Sequence, residues 1–73
     1  MAVSKNEVYE IIKANGPITV PEITRMLHPD IREYEYRVQK GIVYHACIML
    51  EKYDAIKRAG KDERTKAVKW VIA

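Results

Sequence analysis

His28, His45 and Cys47 have the widest chemical reach of any side chains in this 73-residue chain. An imidazole can carry protons or hold a metal, and a thiolate can attack or ligate. Their spacing argues against each use. His45 and Cys47 stand two residues apart with no second cysteine pair to complete a tetrahedral set, so no metal site is expected. Cys47 also falls on an apolar helical stripe, where a free cysteine serves as a small hydrophobe. His28 adjoins Pro29, and no nucleophile or carboxylate is spaced to make it a general base, so it is expected at a helix end. No reaction and no cofactor are indicated, and the chain is expected not to be an enzyme.

The remaining chemistry is charge. Residues 1 to 36 hold four Lys and Arg against six Asp and Glu, whereas residues 37 to 73 hold nine against four, within a total formal charge of +3. A basic half of this kind suits a polyanion, although a solvated surface carries similar charges.

Length limits what can position those cations. A chain this short forms one domain, residues 1 to 73, burying about 60% of its unfolded surface and using nearly every apolar residue in one core. The longest apolar run, Ile42 to Leu50, is broken by His45 and is too short to span a bilayer. The amino-terminal "MAVSKNEVYE" has no leader-like apolar stretch, and the single Cys47 cannot form an internal disulfide, so a reducing, cytoplasmic setting without membrane contact is expected.

The elements follow from capping signals and periodicity. Ser4 and Glu7 have capping-box spacing, Val8, Ile11 and Ile12 form an apolar stripe, and Gly16 and Pro17 stop this first helix. Ile18 and Val20 alternate around Thr19, which suits a brief strand or extended link. Thr19 and Glu22 repeat the capping box with Pro21 in the first turn, and Ile23, Met26 and Leu27 supply the stripe of a second helix over about Val20 to His28, ended by Pro29. In "KGIVYHACIMLEKYDAIKRAG", Val43, Ala46, Cys47 and Leu50 share one core-facing side of a third helix, with Gly41, His45, Ile48 and Lys52 opposite. After Tyr53 the period falls to two. Ile56 and Arg58 alternate with Lys57, and Val68, Trp70 and Ile72 alternate with Lys69 and Val71, with Trp70 on the core register. The polar "GKDERTK" between them reads as a hairpin turn.

This order, with "GPITVPEITRML" leading into the second helix and "KGIVYHACIMLEKYDAIKR" running from the third helix into a strand, resembles the winged helix-turn-helix family of DNA-binding domains over nearly the whole chain. The resemblance implies an α+β fold, a three-helix core with a C-terminal β-hairpin wing. It also implies that helix three enters the major groove of double-stranded DNA while the wing touches the neighbouring backbone. Carried onto this sequence, Lys40, Tyr44, His45 and Lys52 become the candidate contacts of helix three, and Arg58, Lys61, Arg64, Lys66 and Lys69 those of the wing. The implied role is that of a small transcriptional regulator.

Two features depart from the family pattern. Pro29 to Lys40 form an extra segment between helices two and three; Ile31, Tyr34 and Val38 have helical spacing there, so it is either a short helix of its own or a lengthening of helix three with Gly41 as a weak point. Tyr34 and Tyr36 could stack on bases, but are expected to pack the segment against the body. The outward face of helix three also lacks the Arg, Asn, Gln and Ser that most often read base edges, so its contribution is expected to be mainly electrostatic. The alternative is a protein-interaction module, with Ile42, Ile48 and Met49 as the contact or as a homodimer face.

Overall fold

In the computed structural model, which describes residues 4 to 73, the chain enters its first helix at Ser4, whose Oγ accepts the Glu7 N–H at 3.1 Å. Helix α1, Lys5–Asn15, buries Val8 and Ile12, and Gly16 ends it by donating its N–H to the Ile12 carbonyl. Gly16 has no room for a side chain. A Cβ there would lie 2.7 Å from the Ile12 carbonyl oxygen and 3.2 Å from that of Trp70.

Strand β1, Ile18–Thr19, is short because Thr19 is already the cap of the next helix. Helix α2, Val20–Leu27, starts with both halves of the capping box: the Glu22 carboxylate accepts the Thr19 N–H at 3.2 Å, and Thr19 Oγ1 accepts the Glu22 N–H at 3.4 Å. Thr24 is fully buried at no polar cost, since its hydroxyl donates to the Val20 carbonyl at 2.8 Å. His28 is the C-cap of this helix, the terminal place its neighbour Pro29 implied.

The segment from Pro29 to Lys40 is not an inserted unit. Helix α3 runs from Glu33 to Lys52 without interruption, so only residues 28 to 32 connect it to α2. The lengthened-helix reading holds and Gly41 does not break it, because eleven further residues carry the helix onward and four of them are anchored: Val43, Ala46, Cys47 and Leu50 are buried. Ile48, expected to face outward, is half-buried against the core. Glu51, three residues on, accepts hydrogen bonds from Arg58 of the next strand, so this end of α3 lies beside the hairpin.

The abrupt change from helix to strand is made by backbone geometry. Asp54 takes a left-handed φ of 59°, and the Ala55 N–H donates to the Leu50 carbonyl at 2.9 Å, closing a Schellman-type end without a glycine. Strands β2, Ile56–Lys61, and β3, Val68–Ile72, then pair antiparallel, with β3 at the centre of a β1-β3-β2 sheet. Ile18 and Arg58 flank Trp70 in register, and Ile56 faces Ile72. Strand β2 extends further than the alternation suggested. An irregularity between Arg58 and Lys61, taken up by Gly60 at φ 100°, lets Lys61 pair with Val68, and the seven-residue turn shrinks to four residues, 63 to 66, between Asp62 and Ala67.

The result is a small α+β domain of three helices and a three-stranded antiparallel sheet. One core unites them, with Val8 and Ile12 of α1, Ile23 of α2, Val43 and Cys47 of α3, Ile56 of β2 and Trp70 of β3 all at or near zero exposure.

Candidate functional site

The candidate residues of the basic half occupy several distinct settings. Lys40 and Tyr44 lie on the flank of α3 that faces the hairpin. Together with Arg37 and Gly41 they line a groove of about 420 Å³ closed by Val20 and Pro21 of α2 and by Ala67, Val68 and Trp70 at the base of the hairpin. His45 points the other way. It shares a second cleft, of about 450 Å³, with Ile42 and Met49 of α3 and with Ser4 and Lys5 at the start of α1. Lys52 is exposed at the last position of α3.

Lys61, Arg64 and Lys66 are exposed at and beside the hairpin turn. That turn is held by Asp62, whose carboxylate accepts the backbone N–H groups of Arg64 at 2.8 Å and Thr65 at 3.1 Å. The Thr65 and Arg64 amides hold its carboxyl below the usual range, so it stays ionised. Lys66 sits at φ 63°, a left-handed position a side chain rarely takes, which fixes the direction of the returning strand. Lys69 is half-buried on β3, one position before the core-facing Trp70 and so on the opposite side of the sheet.

Arg58 differs from the rest. Its Nε donates to the Glu51 carboxylate at 2.9 Å, its Nη2 donates to the other carboxylate oxygen at 3.3 Å, and its guanidinium lies 5.3 Å from the Trp70 ring centroid. These contacts brace β2 against the end of α3, so among the described candidates Arg58 alone has a carboxylate partner.

Uncompensated charge distinguishes the surface. Among the described residues the Arg58–Glu51 pair is the only ion pair, although the chain has thirteen Lys and Arg and ten Asp and Glu. Arg25 of α2 and Lys40 of α3 lie at 4.6 Å and 5.6 Å from the Tyr36 ring centroid. Tyr36 thus packs as expected, joining α2 to the first half of α3 and holding two cations near one ring. Tyr34 does not pack; it is 65% exposed, because it lies on the far side of α3 from the core.

Arg25 and Arg37 were not singled out by sequence. The signal for Arg37 was present: Arg37, Lys40, Gly41 and Tyr44 have i, i+3, i+4, i+7 spacing, which appears once residues 29 to 40 are read as part of α3. Arg25 carried no signal of its own, since its setting depends on the α2–α3 packing that brings it to Tyr36.

Among the described residues no three His, Cys, Asp or Glu side chains gather as a metal site, and no helix is long and apolar enough to cross a membrane. Comparison with family models, with curated proteins and with solved structures finds no match.

Proposed function

We propose that this chain is a winged-helix module that binds double-stranded DNA, in the role of a small transcriptional regulator and not an enzyme. The observation that carries the reading is the set of cations without carboxylate partners on adjoining surfaces: Arg25 on α2, Arg37 and Lys40 on α3, and Lys61, Arg64 and Lys66 on the hairpin. Solvated cations with no carboxylate partner are free to neutralise phosphates and release counterions. The element order, the short link from α2 to α3 and the β1-β3-β2 sheet support the fold assignment.

In this reading α3 lies in the major groove with Tyr44 and Gly41 towards the base edges and Arg37 and Lys40 towards phosphates, while the hairpin turn meets the backbone alongside. Few side chains on α3 can make paired hydrogen bonds to bases, so affinity exceeds sequence discrimination. Binding to random duplex DNA at two salt concentrations tests it. Each phosphate contact adds about 0.9 to the slope of log affinity against log salt, so replacing Lys61, Arg64 and Lys66 together with alanine lowers the slope by up to about 2.7 while leaving the melting temperature nearly unchanged. An affinity that ignores salt overturns the reading.

The second reading, a protein-interaction module, is favoured by Tyr34, Val38 and Ile42. They lie four residues apart on α3 and are all exposed, which gives an apolar stripe with no partner inside the chain. The strip Ile42, Ile48 and Met49 is not continuous, since Ile42 and Met49 line the cleft at the start of α1 while Ile48 is half-buried against the core.

A further inference from the structure

We propose that the groove between α2, α3 and the base of the hairpin is a binding site for a small aromatic carboxylate. Its volume of about 420 Å³ lies within the range of small-molecule sites. The floor is apolar: Val20 and Trp70 are buried and Val68 is half-buried. The exposed cations of Arg37 and Lys40 stand at its mouth, and neither has a carboxylate partner. A flat apolar ring therefore displaces water from the floor while its carboxylate remains at the mouth, where a guanidinium takes it through two parallel hydrogen bonds and an ammonium adds a point charge.

Gly41 supplies an independent argument. Glycine in a helix interior costs stability relative to alanine, a cost that a need of conformation or space can offset. Conformation is not the reason, because Gly41 lies within regular helix. Internal packing is not the reason either, since a Cβ there would meet nothing within 4 Å. The missing side chain leaves open one wall of this groove. Trp70, which lines the same groove, also keeps its indole N–H buried with no acceptor in the chain.

Trp70 is the only tryptophan in the chain and reports directly on the groove. Its fluorescence is followed while the intact protein is titrated with phenylacetate, with phenylacetamide, acetate and inorganic phosphate as comparisons. Phenylacetate should give a saturable change at submillimolar to millimolar concentration, as suits a ligand of this size. The neutral amide and the Arg37→Gln/Lys40→Gln variant should each weaken binding about tenfold, acetate and phosphate should give no saturable change, and Gly41→Leu should abolish the response. Circular dichroism checks that Gly41→Leu keeps the parent's helix content; if it does not, the Arg37 and Lys40 variant, whose side chains are exposed and have no carboxylate partner, decides the matter. No saturable response to phenylacetate, equal binding of the amide or of phosphate, or binding unaffected by the charge variant overturns the site. Nucleic acid plays no part in this experiment, so its failure leaves the DNA reading standing.

Discussion

The two halves of α3 share one unbroken helix and have opposite relations to the rest of the chain. From Val43 onward, Val43, Ala46, Cys47 and Leu50 are all buried, while from Glu33 to Ile42 no residue is buried and Tyr34 and Val38 are 65% and 60% exposed. The second half is held by the core, and the first is held by its continuity with the second and by the Arg25–Tyr36–Lys40 stack. Helix propagation costs little once a nucleus is fixed, so an anchored half can present an unanchored one at a defined angle. That division lets one element serve as both scaffold and contact surface. Substitutions in the first half are expected to alter binding, and those in the second to alter folding.

The largest contrast is chemical. Burial pushes the Cys47 thiol up to about 12 from an ordinary value near 9, so at pH 8 its thiolate is about a thousandfold scarcer than that of an exposed cysteine. In the native protein Cys47 should resist iodoacetamide, whereas a cysteine placed in the first half by Val38→Cys should react at nearly the rate of a free thiol. Mass spectrometry of the modified protein separates the two. The same shift links stability to alkaline pH. The folded state keeps its proton up to about 12 while the unfolded chain releases it above about 9, so this contribution is complete below pH 9 and is lost progressively between pH 9 and 12. Equal reactivity of the two cysteines would place Cys47 outside the core.

Truncation gives the next largest difference. Leu50→Ala leaves a cavity in the core that Leu50 shares with Ile56 and Trp70 and should destabilise by about 2 to 5 kcal/mol, a large part of what a domain of this size possesses. Val38→Ala removes a side chain already in solvent and should change stability by no more than about 0.5 kcal/mol. Chemical denaturation of both variants measures the difference. Similar losses would mean that the first half of α3 is also anchored, which would remove the distinction between its halves.

The same division explains what could be read from the residues alone. The second half of α3 was legible because burial imposes a period: Val43, Ala46, Cys47 and Leu50 mark the core side, and Trp70 the matching strand register. The first half was obscure because none of its residues is fully buried. Its apolar residues, Tyr34, Val38 and Ile42, face outward, so their spacing signalled a helix without saying what it packs on, and Arg37 went unnoticed among them. The cap of α2 was readable from Thr19 and Glu22, and the end of α3 near Tyr53 from the change of period, whereas the left-handed Asp54 that closes it carried no glycine to announce it. The hairpin turn was overestimated because Gly60 marks an irregularity inside β2 and not the strand's end. The partition of cations between the groove, the far cleft and the Glu51 pair depended on packing between distant elements and had no local signature.

The smallest effect falls at Gly41, the boundary between the halves. Alanine there meets no atom within 4 Å and sits in regular helix, so Gly41→Ala should raise stability by about 0.5 to 1 kcal/mol, through lower entropy in the unfolded chain and better helix propensity. For a domain of this length that corresponds to a rise of about 2 to 8 °C in melting temperature. If the first half of α3 is a contact surface, the same methyl group stands where a bound partner approaches, and duplex affinity should fall even as the fold gains. Thermal melting and a salt-matched DNA titration on one preparation read both signs at once. Lower stability would show that the glycine answers an internal demand of the helix, and higher stability with unchanged affinity would move the contact surface away from Gly41 and towards the exposed stripe of Tyr34, Val38 and Ile42.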